Sequence, residues 1–258
     1  MATPSIKISE TPLVLYTLRR ADDALVLGHR LSEWCGHAPM LEEDMALANM
    51  ALDLLGQSRE LYSYAAKAEG RGNDEDKFAY LRDVRQYRNL LLVEQPNGDF
   101  ARTMVRQFLY AVFADLYWRA MMNSMDATLA AIAAKSEKES AYHVRHCSEW
   151  IVRLGDGTEE SHARAQEAID HLWAYTGEMF EVDAAESGLI DAGVAVDPAG
   201  LKAPWLKIVS GVVAEATLAL PLNDWMQQGG RIGHHSEHLG HLLSELQSLQ
   251  RSFPGATW

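Results

Sequence analysis

Cysteine is scarce in this sequence: 258 residues contain only Cys35 and Cys147. That excludes a disulfide framework and leads us to expect a reducing, cytoplasmic setting. No apolar stretch runs uncharged for the length of a membrane span, so no membrane segment is expected. Residues 1–11 lack an apolar core behind basic residues, which argues against a secretory signal, and they read as a flexible N-terminal extension. Basic charge is also short, with 23 Lys and Arg against 36 Asp and Glu and a formal net charge of −13. No basic stripe emerges that could track nucleic-acid phosphates, and none is evident for a smaller anionic ligand such as a coenzyme A ester. Strict apolar–polar alternation, internal repeats and low-complexity tracts are absent as well.

What is present is helical periodicity from end to end. Ala24, Leu27, Leu31 and Trp34 form one stripe, halted at Gly36-His37-Ala38-Pro39 because proline cannot continue a helix. A second stripe runs from Leu47 through Leu54 and Leu61 to Ala65, and a glycine-rich turn follows it. The Pro96-Asn97-Gly98 turn introduces a third helix, with Ala101, Val105, Phe108, Val112 and Leu116 inward. A fourth places Leu129, Ile132, Ser136, Ser140, His143, Cys147 and Trp150 on one face, and a fifth carries Ile169, Leu172, Thr176 and Phe180. Residues 183–204 read as a long surface connection. Two further helices follow, around Leu206–Leu220 and Leu239–Phe253. The expectation is an all-α chain, residues 1–258 as one domain, with four long central helices and additional C-terminal ones.

A long four-helix core invites a test for a carboxylate-bridged metal pair. Such a site takes a Glu from each of two helices and a Glu-x-x-His pair from each of the others, since residues three apart share a helix face. The sequence is short of these groups. Glu159-x-x-His162 is the only acid-x-x-His match, and it opens a helix where a solvated first turn is the better reading. On the fourth helix the pair is Ser140-x-x-His143, and serine is a poor ligand; Glu139 reads as turned off the stripe. On the second helix Asp53 is followed three residues later by Gly56, without an imidazole. The third helix carries Asp115, but the inward position a turn earlier is Ala111. Glu33, Asp53, Asp115 and His143 are what remains, and on spacing alone they read as ordinary polar residues satisfied by neighbours. A separate cluster, His235, His238 and His241 with His234 nearby, has one-turn spacings that could hold zinc, although packing or capping is the commoner role. Cys35 and Cys147 both sit on helix stripes and read as buried structural thiols.

Several longer strings are distinctive: Leu-Ser-Glu-Trp-Cys-Gly-His-Ala-Pro from Leu31, Leu-Leu-Val-Glu-Gln-Pro-Asn-Gly from Leu91, Tyr142-His143, and Ser-Glu-His-Leu-Gly from Ser236. With Leu52-Asp-Leu-Leu-Gly-Gln and Arg153-Leu-Gly, they resemble the C-subunit family of the bacterial phenylacetyl-CoA 1,2-epoxidases over nearly the whole chain. The resemblance implies a ferritin-like fold and a place in a multicomponent monooxygenase of phenylacetate degradation. It implies a related A subunit holding the diiron centre, a small B subunit, a separate reductase using NADPH, and a C subunit that is structural. Under that resemblance Glu33, Asp53, Ala111, Ser140 and His143 occupy vestigial diiron positions, and this chain has no catalytic residue, cofactor or metal of its own. Its expected partners are the A and B subunits, with a homodimer when isolated. Tyr117, Trp118 and Trp173 are loose interface candidates. A diiron oxygenase with unconventional ligands and a histidine-based metal module are the alternatives.

Overall fold

The computed structural model describes residues 5–223 and 225–256. The described residues hold helices and turns and no strand, as the periodicity requires. In chain order the helices are α1 (Pro12–Ser32), α2 (Leu41–Glu69), α3 (Glu75–Tyr80), α4 (Leu91–Glu94), α5 (Phe100–Met121), α6 (Ala127–Gly155), α7 (Glu159–Leu172), α8 (Ala184–Asp191), α9 (Lys202–Glu215), α10 (Glu237–Leu246) and α11 (Ser248–Ser252). The four long ones, α1, α2, α5 and α6, make the ferritin-like bundle, with α1 packed on α2 and α5 on α6. No helix among the described residues is long and apolar enough to cross a membrane.

Local chemistry sets the helix ends. Thr11 caps α1 through Val14 N–H, and Pro12 follows where its missing N–H is harmless. Asp99 accepts from Arg102 N–H at the start of α5, and Asp126 accepts from Thr128 and Leu129 at the start of α6. The helices then divide by burial. Nearly every residue of α1 from Tyr16 to Gly28 is buried, and α5 is enclosed almost as fully. In α2 and α6 one face is buried and the other open. Gly28 lets α1 approach α2 closely, since a Cβ there would lie 3.3 Å from the Ala51 carbonyl oxygen. Gly155 has a stricter reason to be glycine, because a Cβ would fall 2.2 Å from the Ala216 carbonyl oxygen.

Burying α1 on all sides takes its charged residues out of water, and each finds a partner. Asp22 accepts from Tyr62 Oη (2.6 Å), Arg82 Nη1 (3.0 Å) and the backbone N–H of Arg88 (2.7 Å). Asp23 accepts from Leu90 N–H (2.8 Å) and from both terminal nitrogens of Arg231 (2.9 and 2.8 Å). Glu178 takes backbone N–H groups from Leu91 (3.1 Å), Gly229 (3.1 Å) and Arg231 (3.0 Å). Through these charges the irregular chain before α10 is fastened to the bundle.

Several sequence expectations are corrected. Residues 183–204 are more than a connection: α8 lies within them, and its Glu186 is buried beside Arg19 and Arg20. The fifth helix stops at Leu172, and two single-turn segments carry Thr176 and Phe180 inward instead. The last helix breaks at Gln247, whose side chain bonds the Ala79 and Arg82 carbonyls. Of the expected extension over residues 1–11, residues 1–4 lie outside the described residues; within 5–11 the Ile6 N–H donates to the Leu81 carbonyl (3.2 Å) and the Ser9 N–H to Glu69 (2.7 Å).

Candidate functional site: the α2–α6 seam

α2 and α6 run antiparallel along one edge of the bundle, and polar side chains line their seam. His143 Nε2 lies 3.1 Å from Asp53 Oδ2, with the imidazole buried and the carboxylate about one-third exposed. One turn along, Gln57 Nε2 donates to Glu139 Oε2 at 2.8 Å; in the other direction, His146 Nε2 pairs with Glu43 at 3.0 Å. Glu139 is therefore part of the seam rather than turned away from it. Burial pushes its carboxyl above the ordinary value; the neighbouring Asp53 charge adds to this, while the Gln57 bond opposes it.

Of the vestigial positions, only Asp53 and His143 meet. Ser140 and Ala111 are buried and bring no metal-ligating carboxylate. Glu33 is the C-cap of α1, outside its helical body, and its carboxylate is committed elsewhere: Arg30 Nη1 donates to it at 2.8 Å and Asn97 Nδ2 at 2.9 Å. Asp115 pairs with Arg119, one turn away on α5. Glu159 and His162 stay in the first turn of α7, where the ring bonds the Gly155 carbonyl at 2.7 Å.

The C-terminal histidines do not assemble. α10 begins at Glu237, so His234 and His235 lie before the helix and do not share its face. Both ring nitrogens of His235 are engaged, Nδ1 with Glu94 (2.8 Å) and Nε2 with the Tyr87 carbonyl (3.0 Å), and His241 faces solvent. Cys35 is exposed just beyond α1, against the expectation of a buried thiol. Cys147 is buried, and desolvation raises its thiol pKa. Tyr117 and Trp118 are core residues and Trp173 packs on Trp205, so none of them offers an open interface.

Three of the distinctive strings, those from Leu31, Leu91 and Ser236, converge at one end of the bundle. Arg30 donates to the Glu94 carbonyl (3.2 and 2.9 Å) and to the His238 carbonyl (3.2 Å), and Asn97 Nδ2 reaches the Arg30 carbonyl at 2.7 Å. Trp34 Nε1 bonds Thr103 Oγ1 at 3.0 Å, and Arg106 donates to Asn97 Oδ1 at 2.7 Å. Burial, with the charges of Arg30 and Arg102, depresses the Arg106 guanidinium to about 9. These strings are therefore a structural knot that ties the α1 exit, the Pro96 turn and α10 together.

Residues 2–258 match the phenylacetic acid catabolic protein family. The chain belongs to that family. A curated relative, the C subunit of the 1,2-phenylacetyl-CoA epoxidase of Escherichia coli (strain K12), is 50% identical over 246 residues, covering 95% of this chain and 99% of the relative.

Against that background the fit of this bundle to a metal pair can be tested. The seam offers Asp53, Glu139 and His143, but each is turned to a protein partner. Among the described residues no group of three or more His, Cys, Asp or Glu is arranged to hold a metal ion. The residues do not fit a carboxylate-bridged metal pair. Sequence reasoning missed the Gln57–Glu139 and Glu43–His146 bonds. The i, i+4 spacing of Asp53 with Gln57, and of Glu139 with His143, was the signal that could have revealed the first.

Proposed function

We propose that this chain is the structural, non-catalytic subunit of a phenylacetyl-CoA 1,2-epoxidase, holding the diiron catalytic A subunit in a complex that includes the small B subunit. The observation that carries this reading is the protein-satisfied seam: a ferritin-like core whose histidine and carboxylates bond to protein partners where a metal pair would need them free. The likeness to a curated C subunit along nearly its whole length supports it. On this reading the chain carries no cofactor, the reductase takes up NADPH, and the assembly works in the cytoplasm.

A subunit that acts by holding another needs a face to do so, and α2 with α6 supplies one. Leu41, Met45 and Leu52 stand 72%, 59% and 66% exposed on the outer side of α2, and Tyr142 is exposed on α6. Each helix has 29 residues, about 43 Å at about 1.5 Å per residue. Two helices packed about 10 Å apart present roughly 800–900 Å², the area that one side of a stable interface needs. On this reading the occupant is the A subunit, and the exposed apolar side chains of α2 are what it would cover.

The test is co-expression with the catalytic subunit. The parent chain is expected to co-purify in a fixed ratio, and Met45→Asp with Leu52→Asp to lose the complex while the isolated variant keeps its fold. A complex that survives both substitutions would reject this face, and the absence of any complex from the parent would reject the subunit reading. A second copy of this chain on the face would appear as a homodimer that the same variant dissolves.

A further inference from the structure

The Pro96-Asn97-Gly98 turn carries the one Asn-Gly pair of the sequence. Asparagine is thermolabile, and most so before glycine, where no side chain shields the next backbone nitrogen from the carboxamide carbon. The turn cannot avoid glycine. Gly98 has φ +60°, and a Cβ on it would lie 2.6 Å from Arg102 Cδ. Gly98 is also exposed, and its N–H donates to no group among the described residues. A nucleophile and water are therefore both at hand.

The fold restrains the other reactant. Both hydrogens of Asn97 Nδ2 are in use, one on the Arg30 carbonyl at 2.7 Å and one on Glu33 Oε2 at 2.9 Å. Oδ1 accepts from Arg106 Nη2 at 2.7 Å, and the Asn97 carbonyl accepts from Thr103 Oγ1 at 3.0 Å. Attack by the Gly98 nitrogen makes the carboxamide carbon tetrahedral and expels Nδ2. That is opposed while three hydrogen bonds hold the amide flat and its nitrogen in place. Arg106 is 1% exposed and bonds otherwise only to the Gln95 carbonyl, so parting it from Oδ1 strands buried donors, which is costly. The reaction has to wait for local opening.

We propose that Asn97–Gly98 is a deamidation site kept silent by the knot, and that its conversion then opens the knot for good. The Gly98 nitrogen bonds to Asn97 Cγ and gives up its proton, and Nδ2 leaves with that proton as ammonia. One water then opens the five-membered imide at either carbonyl, giving an aspartyl or an isoaspartyl residue at position 97. In the aspartyl product an acceptor replaces both Nδ2 donors. Oxygen then faces the Arg30 carbonyl and the like charge of Glu33, two repulsions against the one attraction gained at Arg106. The isoaspartyl product also lengthens the backbone by one methylene in a turn that Gly98 and Arg102 already fill. Either way the α1 exit loses its tie to the Pro96 turn. None of this depends on the subunit reading.

The experiment ages the full chain at mildly alkaline pH, folded in buffer and unfolded in urea, and follows the tryptic peptide 89–102 by mass spectrometry, where conversion adds one mass unit. The folded chain is expected to convert at least about tenfold more slowly than the unfolded one, because only its open fraction reacts. Glu33→Ala frees one Nδ2 hydrogen at a partly exposed position. It is expected to speed the folded rate about threefold to tenfold and leave the unfolded rate unchanged. Asn97→Asp, the product made directly, is expected to melt about 3 °C below the parent. Should that variant not fold, parent chain aged to partial conversion makes the same comparison, the heavier peptide being enriched among the molecules that unfold first. Equal folded and unfolded rates, or a Glu33→Ala rate equal to the parent's, overturns the proposal. So does a converted chain that melts at or above the parent.

Discussion

Two polar regions of this bundle differ in how their charges are satisfied. Around α1 the carboxylates of Asp22 and Asp23 are fully buried, and each is saturated by guanidinium and backbone donors. Along the α2–α6 seam Asp53 and Glu139 are only part-buried, Asp53 meeting the His143 ring and Glu139 the Gln57 amide. The first arrangement is what stability demands of a charge removed from water. The second joins imidazole, amide and carboxylate side chains in pairs at a half-open seam. The contrast separates charges saturated inside the fold from polar pairs held at its edge.

The largest effect is expected in the α1 network. Asp22→Ala strands Arg82 in a site with no solvent exposure and is expected to cost about 3–5 kcal/mol, read as a lower urea midpoint or loss of soluble protein. His143→Ala, in the seam, is expected to cost only about 1–2 kcal/mol in the same measurement. If the two costs come out equal, the contrast between the regions is broken. Smaller still is Met45→Asp with Leu52→Asp, expected to shift the stability of the isolated chain by about 0.5 kcal/mol or less while abolishing the complex.

The smallest effect has a definite sign in pH. Burial raises the Glu139 carboxyl above its ordinary 4.5, so the folded chain favours the protonated form. Its contribution to stability is then present below the unfolded value and lost as pH rises through the folded one. Glu139→Gln keeps a side-chain oxygen for the Gln57 bond and removes the ionisation. Its unfolding midpoint is expected to match the parent near about pH 4 and to exceed it near about pH 7. A midpoint below the parent's at neutral pH would mean that the ionised carboxylate is stabilised by Lys135 and His143 more than burial opposes it.

The long helices α2 and α6 were legible because each buries a continuous stripe whose period survives in sequence, and α5 because its long apolar run is bounded by the Pro96 turn. The short pieces were not. α3, α4, α8 and α11 are each of eight residues or fewer, and tertiary partners such as Glu186 with Arg19 hold them more than their own periodicity does. The ligand shortage at Gly56, Ala111 and Ser140 could be read from spacing, since three-residue offsets fix helix faces. The true neighbours of Glu139 and Glu33 could not, because Gln57 and Asn97 come from distant parts of the chain. The distinctive strings identified the family correctly; those from Leu31, Leu91 and Ser236 meet in a packing knot around Arg30, while Leu52–Gln57 and Tyr142-His143 lie along the α2–α6 seam.

The most direct measurement is iron per chain, by elemental analysis, on protein purified from iron-supplemented cells, alone and in complex with the catalytic subunit. Phenylacetyl-CoA-dependent NADPH oxidation is assayed on both after the reductase and the B subunit are added. Negligible iron and no turnover are expected for the isolated chain, with iron and turnover only in the complex. About two irons on the isolated chain, lost on His143→Ala, would contradict the structural-subunit reading.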